Sequence, residues 1–593
     1  MAETLISPGV LARENDQSFI TSQPVTVGAA IIGPTVKGPV EIPTVVTSYS
    51  DFTTKFGSTL ESGSQTHSYL TSVSVNNYFQ NGGESILVTR VVTGSFTSAK
   101  SSPVLNNVTA DTKNGSFVLE TISEGTLMNN LTDEDTYITG GYVSSSYVSG
   151  FTETLGGGAL ISGSSDNVRW EIPTVNTESG TFSLLIRRGD DNHREKVVLE
   201  TYQNLSLDPN SADYIEAVIG NSSKVLRQDG SDYYIQDSGS FSNKSRYIRV
   251  KSVNYPTLDY FDNLGNVKSA FTASLPKLQS GSFYGASGEL FHGSAHFNHD
   301  IVSGTNIQGL KAADYNTAIS LLGNKDEYRF NVITAPGLTA QDASSQVTSL
   351  VNLAIARTDC LTVIDLVRYG STTANVIEKA SSQNSSYAAA YWPWGQVVDP
   401  GTGKLVWVPA STLIPGVYAF TDASSDSWFA PAGLTRGGLD SVVQVERKLP
   451  TGTRDTLYEA NINPLATFPQ AGVVVFGQKT LQKKSSSLDR INVRRLLISL
   501  KSYISQIADT LVFEQNTIAT RNSFLTQVNP YLESVQQRQG LYSFKVVMDD
   551  TNNTADVVDR NELIGQIYLQ PTRTAEFIIL DFNVLPTGAT FPV

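Results

Sequence analysis

Apolar positions follow three different rhythms along this chain, and each rhythm predicts a different kind of structure. Residues 25–95 alternate short apolar runs with helical stretches. Val25–Pro34 is an apolar run closed by turn residues, as in a buried strand. Ser48 is placed to N-cap a short helix through Phe56, stopped by Gly57. A second helix is expected over His67–Gln80, closed by Asn81-Gly82-Gly83, and then a strand over Ser85–Val92 with Ile86, Val88 and Val92 on one face. Residues 302–480 return to this grammar: a helix over Ala312–Leu322, a strand over Tyr328–Thr334 ended near Pro336-Gly337, a helix over Ser344–Ala356, and a second buried strand over Cys360–Val367. Such alternation predicts parallel pairing with right-handed crossovers.

Between these stretches, residues 96–301 are dominated by Gly, Ser, Thr and Asn. Turn signals recur roughly every 8–12 residues, which predicts β-rich structure. Phe182–Arg188 and Lys196–Glu200, joined through Gly189-Asp190-Asp191-Asn192, form an expected hairpin; a short helical stretch is expected within Asn204–Gly220 and a strand over Tyr247–Val253. If this block is an insertion, its two ends lie close together in space.

The third rhythm begins near residue 481. Val493, Leu496, Leu497, Leu500, Ile504, Ile507 and Leu511 fall within about 100° of arc on a helix. Ile518, Leu525, Val528, Leu532 and Val535 do the same for a second helix ending near Gly540. Strands are expected over Leu541–Met548, near Leu563–Leu569 and over Phe577–Leu585. That last run is long and apolar, and such a strand can pair within its own domain or cross to another subunit. Residues 1–23, by contrast, are turn-like and too poor in apolar residues for a core of their own.

Composition narrows the functional classes. The chain has 593 residues, of which 40% are hydrophobic, so large cores can form and a disordered chain is excluded. At roughly 150 residues per domain, about four domains are expected. Charged residues are sparse at 17%, and the net charge of −14 argues against a general nucleic-acid binder. The single cysteine, Cys360, excludes an intramolecular disulfide and a cysteine-based zinc site, and is expected to be a small buried core residue. No run of about 18 apolar residues predicts a membrane span, and the N-terminus lacks the pattern of a secretion signal.

Candidate chemistry is thin. Gly401-Thr-Gly-Lys404 lacks the spacing of a phosphate-binding loop, and Leu405 stands where a hydroxyl would bind magnesium. No nucleophile elbow, paired-histidine motif or dinucleotide fingerprint is present, so neither an enzymatic role nor a cofactor is expected. Three of the five histidines, His292, His296 and His299, are the only weak candidates for metal binding; a solvated loop closing the block is the expected reading. The acidic pairs Asp190-Asp191 and Asp549-Asp550 sit beside turn residues, and turns are their expected use. One electrostatic feature stands out. Between Lys479 and Lys501 lie seven basic residues against one acid, Asp489. Arg490, Arg494 and Lys501 fall within about 40° on the helix, either as a solvated face or as a docking strip for an acidic surface.

The chain resembles the contractile tail sheath proteins of myovirus-type bacteriophages. The residues that carry the resemblance are Ser7-Pro-Gly-Val10 with Glu14, Gly28–Pro39 with Phe52 and Phe56-Gly57, Tyr391-Trp-Pro-Trp394, Val408-Pro409, Pro415–Ala419 with Thr421-Asp422, Ala430-Pro-Ala-Gly433, Asn461-Ile-Asn463, Gly472 with Gly477–Thr480, Ile491–Arg495 and Phe513–Asn516. Their order over 1–95 and 302–593 is the specific signal; a looser match surrounds Phe182–Arg227. Lys479 stands where the family usually has arginine, Leu11 where an aromatic is common, and 96–180 matches nothing in the family.

The resemblance implies a multidomain α+β protein. An inner, sandwich-like α/β domain would combine an N-terminal arm, 1–23, with 481–593; a middle α/β domain would combine 24–95 with 302–480; and a β-rich outer block, 96–301, would protrude. It further implies a structural protein that polymerises into a helical or stacked homopolymer of hexameric rings around a tail tube. Baseplate and tail terminator are its implied partners, with no nucleic acid bound directly and no membrane insertion. It would be located in the virion tail, after assembly in the host bacterial cytoplasm. Arg490, Arg494 and Lys501 become candidates for contact with the tube, and Phe577, Ile579, Phe582 and Val584 for a C-terminal arm that adds a strand to a neighbour. The sheath of a headless bacteriocin or other contractile injection system fits the same residues. A β-rich surface adhesin or layer protein would explain the Ser/Thr-rich block but needs an export route.

Overall fold

The computed structural model describes residues 25–62, 65–108, 115–130, 164–191, 195–230, 232–290, 302–303 and 306–576. The metal candidates His292, His296 and His299, the arm candidates Phe577, Ile579, Phe582 and Val584, and the segment 1–23 lie outside the described residues.

The two stretches that share a strand–helix rhythm are joined in one eight-stranded sheet. Its order is Thr44–Val46, Ile86–Arg90, Val25–Gly33, Tyr328–Thr339, Leu361–Asp365, Ala388–Trp392, Asn463–Phe468 and Gly472–Val475. The inner strands run parallel, and the outermost strand at each end runs antiparallel to its neighbour. Parallel strands need cover on both faces, and alternation supplies it. Ala30 and Ile32 point into a core shared with helices Tyr315–Leu321, Ser344–Arg357 and Thr373–Ser381, whereas Ala29 and Ile31 point into a core shared with Tyr49–Phe56, Leu70–Gln80 and Ala410–Ser424. Cys360 is wholly buried in the first core.

Local chemistry explains where several elements stop. Ser48 accepts a hydrogen bond from the Asp51 N–H at 3.0 Å, and Gly57, at φ 73°, ends that helix. The helix expected from His67 instead starts at Leu70, because Gln65–His67 pairs with Leu60–Ser62 as a small hairpin. The strand expected to end at Thr334 runs on to Thr339. It passes Pro336-Gly337 by an irregularity in register, with the Gly337 N–H held by Asp365 at 3.1 Å.

The described residues between 98 and 284, apart from the hairpin 223–238, build a separate apolar core around Phe117, Trp170, Phe182 and Ile186, within sheets whose paired strands are antiparallel. The expected hairpin is present as Thr181–Arg188 against Val198–Ser206. Much of the helix expected after Asn204 is replaced: Leu205 and Ser206 continue the strand opposite Phe182 and Thr181, leaving only Ile215–Ile219 helical. Asp191 is more than a turn residue. It is buried between Arg169 and Arg187, at 3.2 and 2.7 Å, and Arg187 also pairs with Glu171 at 2.8 Å. Removing one member of such a buried set would strand the others. Arg90 ties this block to the eight-stranded sheet, donating to the carbonyls of Gly38 and Glu124 at 2.6 and 2.9 Å.

Candidate assembly surface

The third rhythm folds as expected into two helices, Ile491–Asp509 and Ile518–Gln537, followed by the strands Leu541–Val547 and Gln566–Pro571. Leu496, Leu500 and Ile507 of the first helix meet Phe524, Val528, Leu532 and Val535 of the second. The strands pair antiparallel, from Leu541 opposite Pro571 to Val547 opposite Gln566. Phe544, Val546, Ile567 and Leu569 pack on the helices, Tyr568 is 57% exposed on the other face, and Tyr542, at a register shift between Leu541 and Ser543, is 69% exposed.

Among the described residues this sheet has only two strands, and no third strand pairs with either edge. An isolated hairpin is marginal in water, and here the helices beneath stabilise it. The arrangement can accept a strand at either edge. At the far end of the helix pair, Phe513 stands fully exposed at φ 71°, beside exposed Val512 and Ile518.

The basic stretch has a different use from the one its spacing suggested. Arg494 is only 4% exposed: its guanidinium lies 4.0 Å over the Tyr387 ring and donates to Ser386 Oγ, and burial lowers its pKa. Arg495 pairs with Asp422 at 2.5 Å, and Arg490 with Glu576 at 2.7 Å and Asp489 at 3.1 Å. Lys483 donates to the Ser381 carbonyl and Lys479 to the Tyr458 carbonyl, each at 2.7 Å. The expectation of one exposed cationic strip is therefore corrected. Arg490 and Arg494 face partners within the chain, and of the three candidates only Lys501 is exposed, its Nζ 3.4 Å from Tyr387 Oη. Helical spacing places charges on a common face; it carries no information on whether a neighbouring element covers that face.

Glu576 was not singled out by its sequence, and it is the most heavily partnered acid of this region. Arg490 grips it through Nε at 2.7 Å and Nη2 at 3.0 Å, Tyr458 Oη donates at 2.8 Å and Gln478 Nε2 at 3.0 Å. Burial alone would raise its pKa, but the bonds from Arg490, Gln478 and Tyr458 outweigh it and hold the carboxyl below its usual range. The neighbouring residues Thr574 and Ala575 help to line a cavity of about 300 Å³ with Tyr458, Pro464 and Phe476. No group of three or more His, Cys, Asp or Glu side chains among the described residues is arranged to hold a metal ion. No helix among them is long and apolar enough to cross a membrane.

Known proteins share these segments. Residues 308–481 match the phage tail sheath protein central domain, and residues 483–585 match the phage tail sheath C-terminal domain. The tail sheath protein of Vibrio phage KVP40 is 30% identical over 358 residues, covering 56% of this chain and 51% of the relative. That of Enterobacteria phage T4 is 34% identical over 272 residues, covering 43% and 41%. The chain thus spans about half the length, or less, of these curated relatives. In fold, the crystal structure of a sheath tail protein from Listeria innocua aligns over 92% of this chain and 96% of its own, with a TM-score of 0.51 at 10% identity. Residues 308–481 and 483–585 thus carry the central and C-terminal domains of the phage tail sheath family, and the chain is similar to curated tail sheath proteins of phages.

Proposed function

We propose that this chain is the repeating subunit of a contractile sheath, which polymerises around a tail tube and, on contraction, drives the tube through a host cell envelope. The observation that carries the proposal is the two-stranded sheet of 541–571, which pairs with no third strand among the described residues and lies within the segment that matches the family's C-terminal domain. In this reading 481–593 joins 1–23 as the inner domain, 24–95 and 302–480 make the middle domain, and 96–301 protrudes outward. The apolar residues Phe577, Ile579, Phe582 and Val584 form an arm that adds a strand to the open sheet of a neighbour. Main-chain hydrogen bonds of that kind persist while subunits rotate against each other.

Other copies of the chain, the tube, the baseplate and the terminator are then its partners, in a virion tail assembled in the bacterial cytoplasm. The role is structural, with work stored in subunit packing. Of the tube-contact candidates, Lys501 is the one we retain, because Arg490 and Arg494 are engaged inside the subunit. Electron microscopy of the purified protein tests the reading. Regular hollow tubes are expected from the full chain, and folded monomers without tubes after removal of 577–593. Tubes formed by that truncation would overturn the arm assignment, and globules alone from the full chain would overturn the sheath reading.

A further inference from the structure

Between the open sheet and the proposed arm, the chain makes a detour. After Pro571 leaves the sheet, with the Thr572 N–H bound to the Gly540 carbonyl at 3.2 Å, residues 572–576 run back to the central part of the molecule. There Gln478 holds both Thr574 Oγ1, at 2.5 Å, and Glu576, at 3.0 Å. Arg490 grips Glu576 through two nitrogens, and Tyr458 closes the ring of donors. The donors come from three places: the helix Thr451–Glu459, the segment after Gly472–Val475, and the start of the helix Ile491–Asp509. They are themselves braced. Lys479 lies 4.2 Å over the Tyr458 ring, and Asp489 pairs with Arg490.

We propose that this clasp anchors the root of the C-terminal arm, with Glu576 and Arg490 as positioning residues that pass load from the arm to the central eight-stranded body. The inference rests on the sheath reading above, and its physical basis is geometric. The pair Leu541–Pro571 closes the end of the two-stranded sheet from which the arm emerges. A pull on the residues after 576 would, without the clasp, load that end pair and peel the strand one bond at a time. With the clasp, the pull meets a bidentate, charge-assisted pair held by residues of the central body. The sheet is thereby relieved of its own subunit's tension and left free to hold a neighbour's strand.

Two measurements on the full chain test this, using Glu576→Ala, Glu576→Gln and Arg490→Ala. Arg573 is an exposed trypsin site inside the detour, so cleavage there reports release of the root in unassembled protein. Cleavage after Arg573 should accelerate by about tenfold in both alanine variants and less in Glu576→Gln, which keeps the acceptor, while the thermal midpoint stays near that of the parent. Assembled tubes of the alanine variants should form at the same protein concentration but fragment under shear that leaves parent tubes whole. Unchanged cleavage in both alanine variants would overturn the clasp. Faster cleavage with tubes as robust as the parent's would overturn its load-bearing role. Failure of the sheath reading looks different: no tubes from the parent, whatever the cleavage rates show, whereas tubes from the chain lacking 577–593 would overturn the arm assignment alone.

Discussion

The eight-stranded sheet and the two-stranded sheet of this molecule show opposite ways of using backbone hydrogen bonds. The large sheet is covered by helices on both faces, and an antiparallel strand closes each end. Among the described residues the small sheet is covered on one face only and pairs with no third strand. Its outer tyrosines face solvent. The first arrangement suits a body that must keep its shape while it moves, and the second suits a joint that is completed by another copy. On the proposed sheath reading, the chain separates rigidity from connectivity by placing them in different sheets.

The comparison breaks most severely at the centre of the large sheet. Trp392 is 2% exposed in the core beneath Thr373–Ser381. Trp392→Ala should cost about 3–5 kcal/mol and lower the thermal midpoint of the whole central body, measured by denaturant unfolding. Arg495→Ala, which leaves Asp422 unpaired and loosens the helix Ile491–Asp509, should cost roughly 1–3 kcal/mol and be seen as earlier unfolding of the C-terminal helices.

A subtler effect concerns the buried carboxyl at the centre of the large sheet. Asp365 accepts from Ser411 Oγ at 2.5 Å, from the Ser411 N–H at 3.2 Å and from the Gly337 N–H at 3.1 Å, joining the strand Leu361–Asp365 to the start of the helix Ala410–Ser424. Burial raises its pKa to about 6 against these bonds. Because the folded form then holds the proton more tightly than the unfolded chain, this residue's contribution favours folding at low pH. It declines as pH rises from about 4 to about 6. Glu576 has the opposite sign: its lowered pKa makes the clasp complete above the ordinary value of 4.5 and lost as acid protonates it below that. Chemical denaturation across pH 4–7 should show the Asp365 slope, and Asp365→Asn should flatten it. Protection of the 572–576 amides against hydrogen exchange, corrected for the intrinsic pH dependence of exchange, should fall only in acid below the ordinary carboxylate value.

The contrast between the sheets was partly legible before the structure. Buried runs such as Leu361–Asp365 and the two amphipathic helices follow from local periodicity, which one stretch of chain contains in full. The union of 25–95 with 328–475 in one sheet depends on pairing across an intervening block, and the shared strand–helix rhythm and the family resemblance were its hints. The arginines show the boundary most clearly. Arg494 and Lys501 lie on the helix Ile491–Asp509, while Arg490 is its N-cap in extended conformation, and Tyr387, Ser386 and Glu576 approach these residues from distant parts of the chain. Glu576 had no sequence signal at all, since its partners are 86 to 118 residues away.

The smallest effect on stability is expected where the effect on assembly should be large. Tyr542 and Tyr568 contribute little to the core beneath them, since their rings stand on the solvent face of the two-stranded sheet. Replacing both with serine should change unfolding free energy by no more than about 0.5 kcal/mol each. On a sheet completed by a neighbour's strand, however, outward aromatics flank the incoming side chains, and such cross-strand contacts stabilise pairing by roughly 0.2–1 kcal/mol each. Repeated at every subunit of a polymer, losses of that size raise the concentration needed for tubes. Sedimentation of the double variant should therefore show a higher critical concentration with an unchanged melting curve. An unchanged critical concentration would mean that the tyrosines lie outside the joint, and a lowered melting curve would mean that the small sheet is more self-sufficient than its open edges imply.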